Sequence, residues 1–160
     1  MDRLKIGISA CYLYPDPARA AFAKKTLNYV EQSVPHWVMS GGALPVMILP
    51  TTGETARGDV TLDDYAAWLD GLVLHGGADL WPGSYGEQPI DSRWQGDRLR
   101  DEYEMALVKA FVDTGAVEVI FMDYGLQEVL YEHAKQRGVS EDDLDELFQY
   151  PRGRGRSHGI

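Results

Sequence analysis

A short apolar run, Gly71-Leu72-Val73-Leu74, leads straight into His75-Gly76-Gly77-Ala78-Asp79-Leu80-Trp81-Pro82. Adjacent glycines at a strand end let backbone N–H groups turn outward, where they can meet developing negative charge on a substrate. A second stretch, Phe121-Met122-Asp123-Tyr124-Gly125-Leu126-Gln127, sets Asp123 at the end of another apolar run. A carboxylate there can act as a nucleophile, cap the following helix, or hold a ligand without chemistry. Nucleophilic use would need a base to activate water, and His133 lies about three helical turns further on. Cys11 is the chain's one cysteine, which excludes an intrachain disulfide and a thiolate zinc cluster. With no pairing His indicated, Cys11 reads as a small buried filler. His75 could donate a hydrogen bond at the glycine turn, but a structural role is expected. Asp79 is expected to bond nearby backbone N–H groups, while Trp81 and Tyr85 either line a pocket or anchor the loop. His36, His75, His133 and His158 have no metal-ligand spacing, so neither a metal nor another cofactor is expected.

The elements that would position these groups alternate. Leu4–Ser9, Leu44–Leu49, Gly71–Leu74 and Val117–Met122 read as short buried strands. Between them, helices are expected over Ala20–Met39 with a break at Pro35, over Leu62–Leu69 with Thr61 as cap, and over Leu99–Val112. The last of these should turn Tyr103, Ala106, Leu107 and Ala110 inward. Further helices are expected from Gly125 to Gln136 and from Ser140 to Phe148, and Trp81 to Gly96 reads as a long irregular loop. Strands alternating with helices imply a parallel sheet covered on both faces, with ligands at the carboxyl ends of its strands. The loops after Ser9, Leu74 and Met122 would therefore share one rim.

A chain of 160 residues with 44% apolar and 25% charged residues suffices for one domain with a core, assigned to residues 1–150. A net charge of −10 argues against nucleic-acid and anionic-membrane partners. The arginine–glycine tail, 151–160, reads as a disordered basic end. No apolar run reaches membrane-spanning length and Met1-Asp2-Arg3-Leu4-Lys5 lacks a signal-peptide core, so a cytoplasmic protein is expected.

Several motifs occur in a family-like order: Ser40-Gly41-Gly42-Ala43-Leu44-Pro45-Val46, then Gly76-Gly77-Ala78-Asp79-Leu80-Trp81-Pro82 with Tyr85-Gly86-Glu87, then Arg100-Asp101 and Glu104. Over residues 4 to 127 the chain resembles the class I glutamine amidotransferase-like γ-glutamyl hydrolases of the peptidase C26 group, which act on γ-glutamyl-γ-aminobutyrate. The resemblance implies a flavodoxin-like three-layer α/β sandwich with a mostly parallel sheet, here C-terminally truncated. It also implies an oxyanion role for Gly76 or Gly77 and a small γ-glutamyl or carboxylate ligand. The family's elbow carries a Cys nucleophile followed by Arg; here Asp123 and Tyr124 stand at those positions, while Gly125, Leu126 and Gln127 fit. After Gln127 the likeness ends, before the segment that would bring the catalytic His and Glu. Three readings follow: a relative that has lost catalysis, a non-catalytic module that binds a γ-glutamyl or carboxylate ligand with Tyr124 beside the glycine turn, or a hydrolase using Asp123. Truncation would uncover sheet surface through which a homodimer could form.

Overall fold

The computed structural model describes residues 3–52, 58–114 and the backbone of 119–121. Four parallel strands form the main sheet: β1 (Lys5–Ser9), β4 (Leu44–Ile48), β5 (Gly71–Leu74) and β6 (Val119–Phe121), in the order β4-β1-β5-β6. β1 pairs with β4 from Lys5↔Leu44 to Ser9↔Ile48 and with β5 from Ile6↔Gly71 to Ile8↔Val73. Among the sheet's own strands this is the order 2-1-3-4, that of a flavodoxin-like α/β fold. The chain first adds a strand on one side of β1 and then crosses to the other, which places the topological switch point between β1 and β5.

Helices α2 (Leu62–Trp68) and α3 (Arg98–Asp113) flank the sheet with α1 (Ser33–Ser40). α2 opens on the expected Thr61, whose hydroxyl accepts the Asp64 N–H while the Asp64 carboxylate accepts the Thr61 N–H, a reciprocal capping box. α3 begins at Asp97, which caps the Arg100 amide. It buries Tyr103, Leu107, Val108, Ala110 and Phe111 at spacings of three and four against Ile48, Leu69, Leu72 and Leu74. Ala106, expected to face inward, is exposed, because its position on the helix falls outside that stripe.

The expected helix over Ala20–Met39 is mostly absent. α1 occupies only Ser33–Ser40, and Leu27–Tyr29 form a strand, β3, antiparallel to β2 (Cys11–Leu13). Leu27 and Tyr29 belong to a period of two, and the pairing Cys11↔Tyr29 gives that segment a partner a helix would not. Pro35 causes no break, since it falls in the first turn of α1, where a missing N–H costs nothing. The expected helices beyond Gly125 and the tail lie outside the described residues.

The core depends on the α3 stripe. Leu107→Ala removes a fully buried side chain and should lower stability by about 2–5 kcal/mol, read from urea unfolding. Ala106→Ser, on the exposed side, should change it by less than about 0.5 kcal/mol.

Candidate functional site

Three strand ends and the first turns of α3 meet at the switch point. β1 ends at Ser9 and β5 at Leu74, so His75, Gly76 and Gly77 lie just past the sheet ladder. The Ser9 hydroxyl accepts the His75 backbone N–H at 2.8 Å and donates to Glu104 Oε1 at 2.6 Å. A hydrogen bond to a charged group contributes about 1.5–3 kcal/mol, so this relay fixes the spacing of β1, β5 and α3. Tyr103 on the same helix donates to the Ile48 carbonyl at 2.7 Å, tying in the end of β4. Burial pushes the Tyr103 phenol well above its ordinary range, so it remains a donor.

The loop leaving the glycine turn is held from the same helix. Asp101 Oδ2 accepts the Trp81 N–H at 2.7 Å, and Asp101 Oδ1 lies 3.4 Å from Arg100 Nη2. Burial raises the Asp101 pKa, with the Trp81 N–H and the Arg100 charge opposing that rise. This replaces the expected role of Asp79, which is exposed and makes no side-chain hydrogen bond among the described residues. Trp81 anchors the loop, its ring stacked 4.9 Å from the Arg98 guanidinium, whereas Tyr85 is exposed.

The turn itself needs its glycines: Gly76 has φ +74° and Gly77 φ +134°, conformations that side chains resist. Beside it lies a contact that sequence reasoning missed. Cys11, the first residue of β2, places Sγ 3.1 Å from His75 Nδ1 and 3.3 Å from the Gly76 carbonyl. The expectation that Cys11 has no pairing His is therefore corrected; its expected burial holds, at 5% exposure. The two residues are 64 apart in sequence, and only the β1–β5 pairing, continued into β2, brings them together.

The pair has the form of a thiol–imidazole dyad but the opposite polarity. His75 Nε2 accepts the Glu31 backbone N–H at 2.7 Å. An acceptor nitrogen carries no proton, so the neutral ring holds its proton on Nδ1, the atom that faces Cys11 and the Gly76 carbonyl. A general base would need a lone pair at Nδ1. The thiol's own proton is directed to the Gly76 carbonyl. Burial also pushes the Cys11 pKa up, outweighing the lowering by the Arg100 charge. Cys11 is a neutral thiol hydrogen-bonded into the turn.

Arg100 completes the cluster. Its side chain is 2% exposed, with Nε 3.7 Å from Glu104 Oε2. Gly76, Gly77 and His75 are thus brought together with Cys11, Ser9, Arg100, Asp101 and Glu104. Asp123 and Tyr124 lie outside the described residues. Among the described residues no group of three or more His, Cys, Asp or Glu side chains could hold a metal ion. No helix among them is long and apolar enough to cross a membrane.

A parallel sheet of this order with a glycine turn at its switch point defines a flavodoxin-like α/β protein. Residues 5–131 match the peptidase C26 family model, and the chain belongs to that family. It is 38% identical over 52 residues to the glutamine amidotransferase-like protein YvdE of Lactococcus lactis subsp. lactis. It is 36% identical over 52 residues to the YvdE homolog of Lactococcus lactis subsp. cremoris. Each match covers 32% of this chain, and 22% and 28% of the respective relatives.

The state of Cys11 can be read directly. Alkylation by iodoacetamide in the native protein should stay slow at neutral pH and accelerate only above the ordinary thiol range of about 8.5. Because burial raises the folded pKa, the native curve should lie to the alkaline side of the urea-unfolded one. Fast alkylation at pH 6 would mean an activated thiolate.

Proposed function

We propose that this chain is a peptidase C26-family protein that takes a γ-glutamyl or other carboxylate ligand at the Gly76–Gly77 turn and does not hydrolyse it. The observation that carries the reading is the polarity of His75. Its Nε2 is occupied by the Glu31 N–H, so the nitrogen facing the chain's single thiol bears the proton and cannot remove another. Asp123 stands where the resembling γ-glutamyl hydrolases carry their nucleophilic Cys, and a carboxylate there lacks the sulfur's reactivity. The glycine turn keeps what binding requires: backbone N–H groups beyond the sheet ladder, at a switch point, beside a buried guanidinium.

Incubation with γ-glutamyl-p-nitroanilide and γ-glutamyl-γ-aminobutyrate should give no product above the uncatalysed rate, while calorimetry with glutamate should give a saturable heat. Turnover abolished by Cys11→Ser would assign hydrolysis to the Cys11–His75 pair. Turnover that survives Cys11→Ser and is abolished by Asp123→Asn would assign it to Asp123. Either result overturns the reading.

A further inference from the structure

The His75 ring joins segments from three places in the chain. Its backbone follows β5, and Nδ1 lies 3.1 Å from Cys11 Sγ on β2 and 3.2 Å from the Gly76 carbonyl. On its far side Nε2 accepts the Glu31 N–H at 2.7 Å. Glu31 stands between β3 and α1: its carbonyl accepts the Val34 N–H at 3.1 Å, and its carboxylate accepts the Ser33 hydroxyl at 2.8 Å. The Tyr29 ring at the end of β3 meets the imidazole edge-on, with centroids 6.5 Å apart. One lone pair on Nε2 therefore fastens the end of the β2–β3 hairpin and the start of α1 to the glycine turn. That lone pair is also the ring's one site for a second proton. An imidazolium has two donors and no acceptor, so Nε2–H would face the Glu31 N–H, donor against donor.

We infer that His75 is a proton-operated latch: neutral, it holds the β3–α1 junction against the glycine turn, and protonated, it releases that junction and opens the rim. The inference rests on the same Nε2–Glu31 bond as the proposed function, but on no ligand and not on the absence of hydrolysis. The surroundings give an added charge little reason to stay. Cys11 of β2, facing Nδ1, is a neutral thiol and offers no anion. From α3, the buried Arg100 guanidinium opposes a second cation, and the Glu104 carboxylate is already engaged by the Ser9 hydroxyl and by Arg100. Asp97 accepts the Tyr14 hydroxyl and the Arg100 amide, while the Glu31 residue is exposed, where water screens its charge. Tyr29 of β3 carries an uncharged phenol, and His36 stands exposed on α1. Because the closed form needs the ring uncharged, acid favours the released one. Release is local: Val34 and Val38 stay packed with Ile8 and Val73, so α1 keeps its place on the sheet.

Backbone amide hydrogen exchange of the full chain, corrected for its intrinsic pH dependence, tests this between about pH 8 and about pH 5, where histidine ordinarily changes charge. Ring-nitrogen NMR on the same samples follows the protonation of His75. Protection of the Glu31 amide should fall about tenfold as His75 becomes charged, while Leu107 in α3 keeps its protection. In His75→Gln, whose carbonyl can accept the Glu31 N–H but takes no proton, Glu31 protection should stay constant over that range. In His36→Gln the fall should remain. The wild-type data stand alone if His75→Gln does not fold. The latch is overturned, and the proposed function left standing, by any of four results: a His75 that stays neutral throughout, Glu31 protection unchanged while His75 is charged, parallel loss at Leu107, or a fall that persists in folded His75→Gln or vanishes in His36→Gln. A His75 carrying its proton on Nε2 at neutral pH would overturn both.

Discussion

The site depends on one relay: the His75 backbone N–H to the Ser9 hydroxyl, and that hydroxyl to the Glu104 carboxylate. Ser9, Glu104 and the adjoining Ala10 are almost entirely buried, so the polar groups cannot exchange these partners for water. Two neighbouring strand ends and one helix are therefore held in a single arrangement, and everything beyond them inherits it. Gly76 and Gly77 leave β5 at a set angle, and β2 leaves β1 so that Cys11 meets His75. The first turns of α3 bring Arg100 and Asp101 under the turn. A long apolar helix face would hold α3 to the sheet equally well; the buried acids and arginine at its amino end fix where the rim residues stand.

That arrangement explains why a cysteine beside a histidine is not in itself a catalytic pair. Two properties are needed of the histidine, proximity and a free lone pair on the facing nitrogen. The fold supplies the first and, through the Glu31 amide, denies the second. The thiol is then governed by burial, which opposes ionisation more strongly than the Arg100 charge favours it.

Most of the parallel sheet was legible in the sequence because its strands are short, apolar and bounded by Gly, Pro or polar turns. Thr61 and Asp64 announced α2 through a local capping pattern. The glycine turn was equally visible, since two adjacent glycines after a buried strand have few other uses. What stayed hidden depends on contacts far apart in the chain. The β3 strand looked helical because Phe22, Leu27, Val30 and Val34 fall near a helical period, although Leu27–Tyr29 is stabilised by pairing with a segment 14 to 18 residues earlier. Cys11 and His75 carried no shared local pattern. A polar stripe within α3, Arg100, Asp101 and Glu104 at helical spacing on the same face as Tyr103 and Leu107, was the one available sign that charged groups would be buried there.

The account stands on which nitrogen of His75 carries the proton. Long-range proton–nitrogen NMR of the histidine rings reads this directly in the native chain at neutral pH. The account requires a neutral His75 with its proton on Nδ1 and Nε2 bare. A His75 protonated on Nε2 with Nδ1 free toward Cys11, or an imidazolium beside a thiolate, would contradict it and restore the pair as a working nucleophile and base.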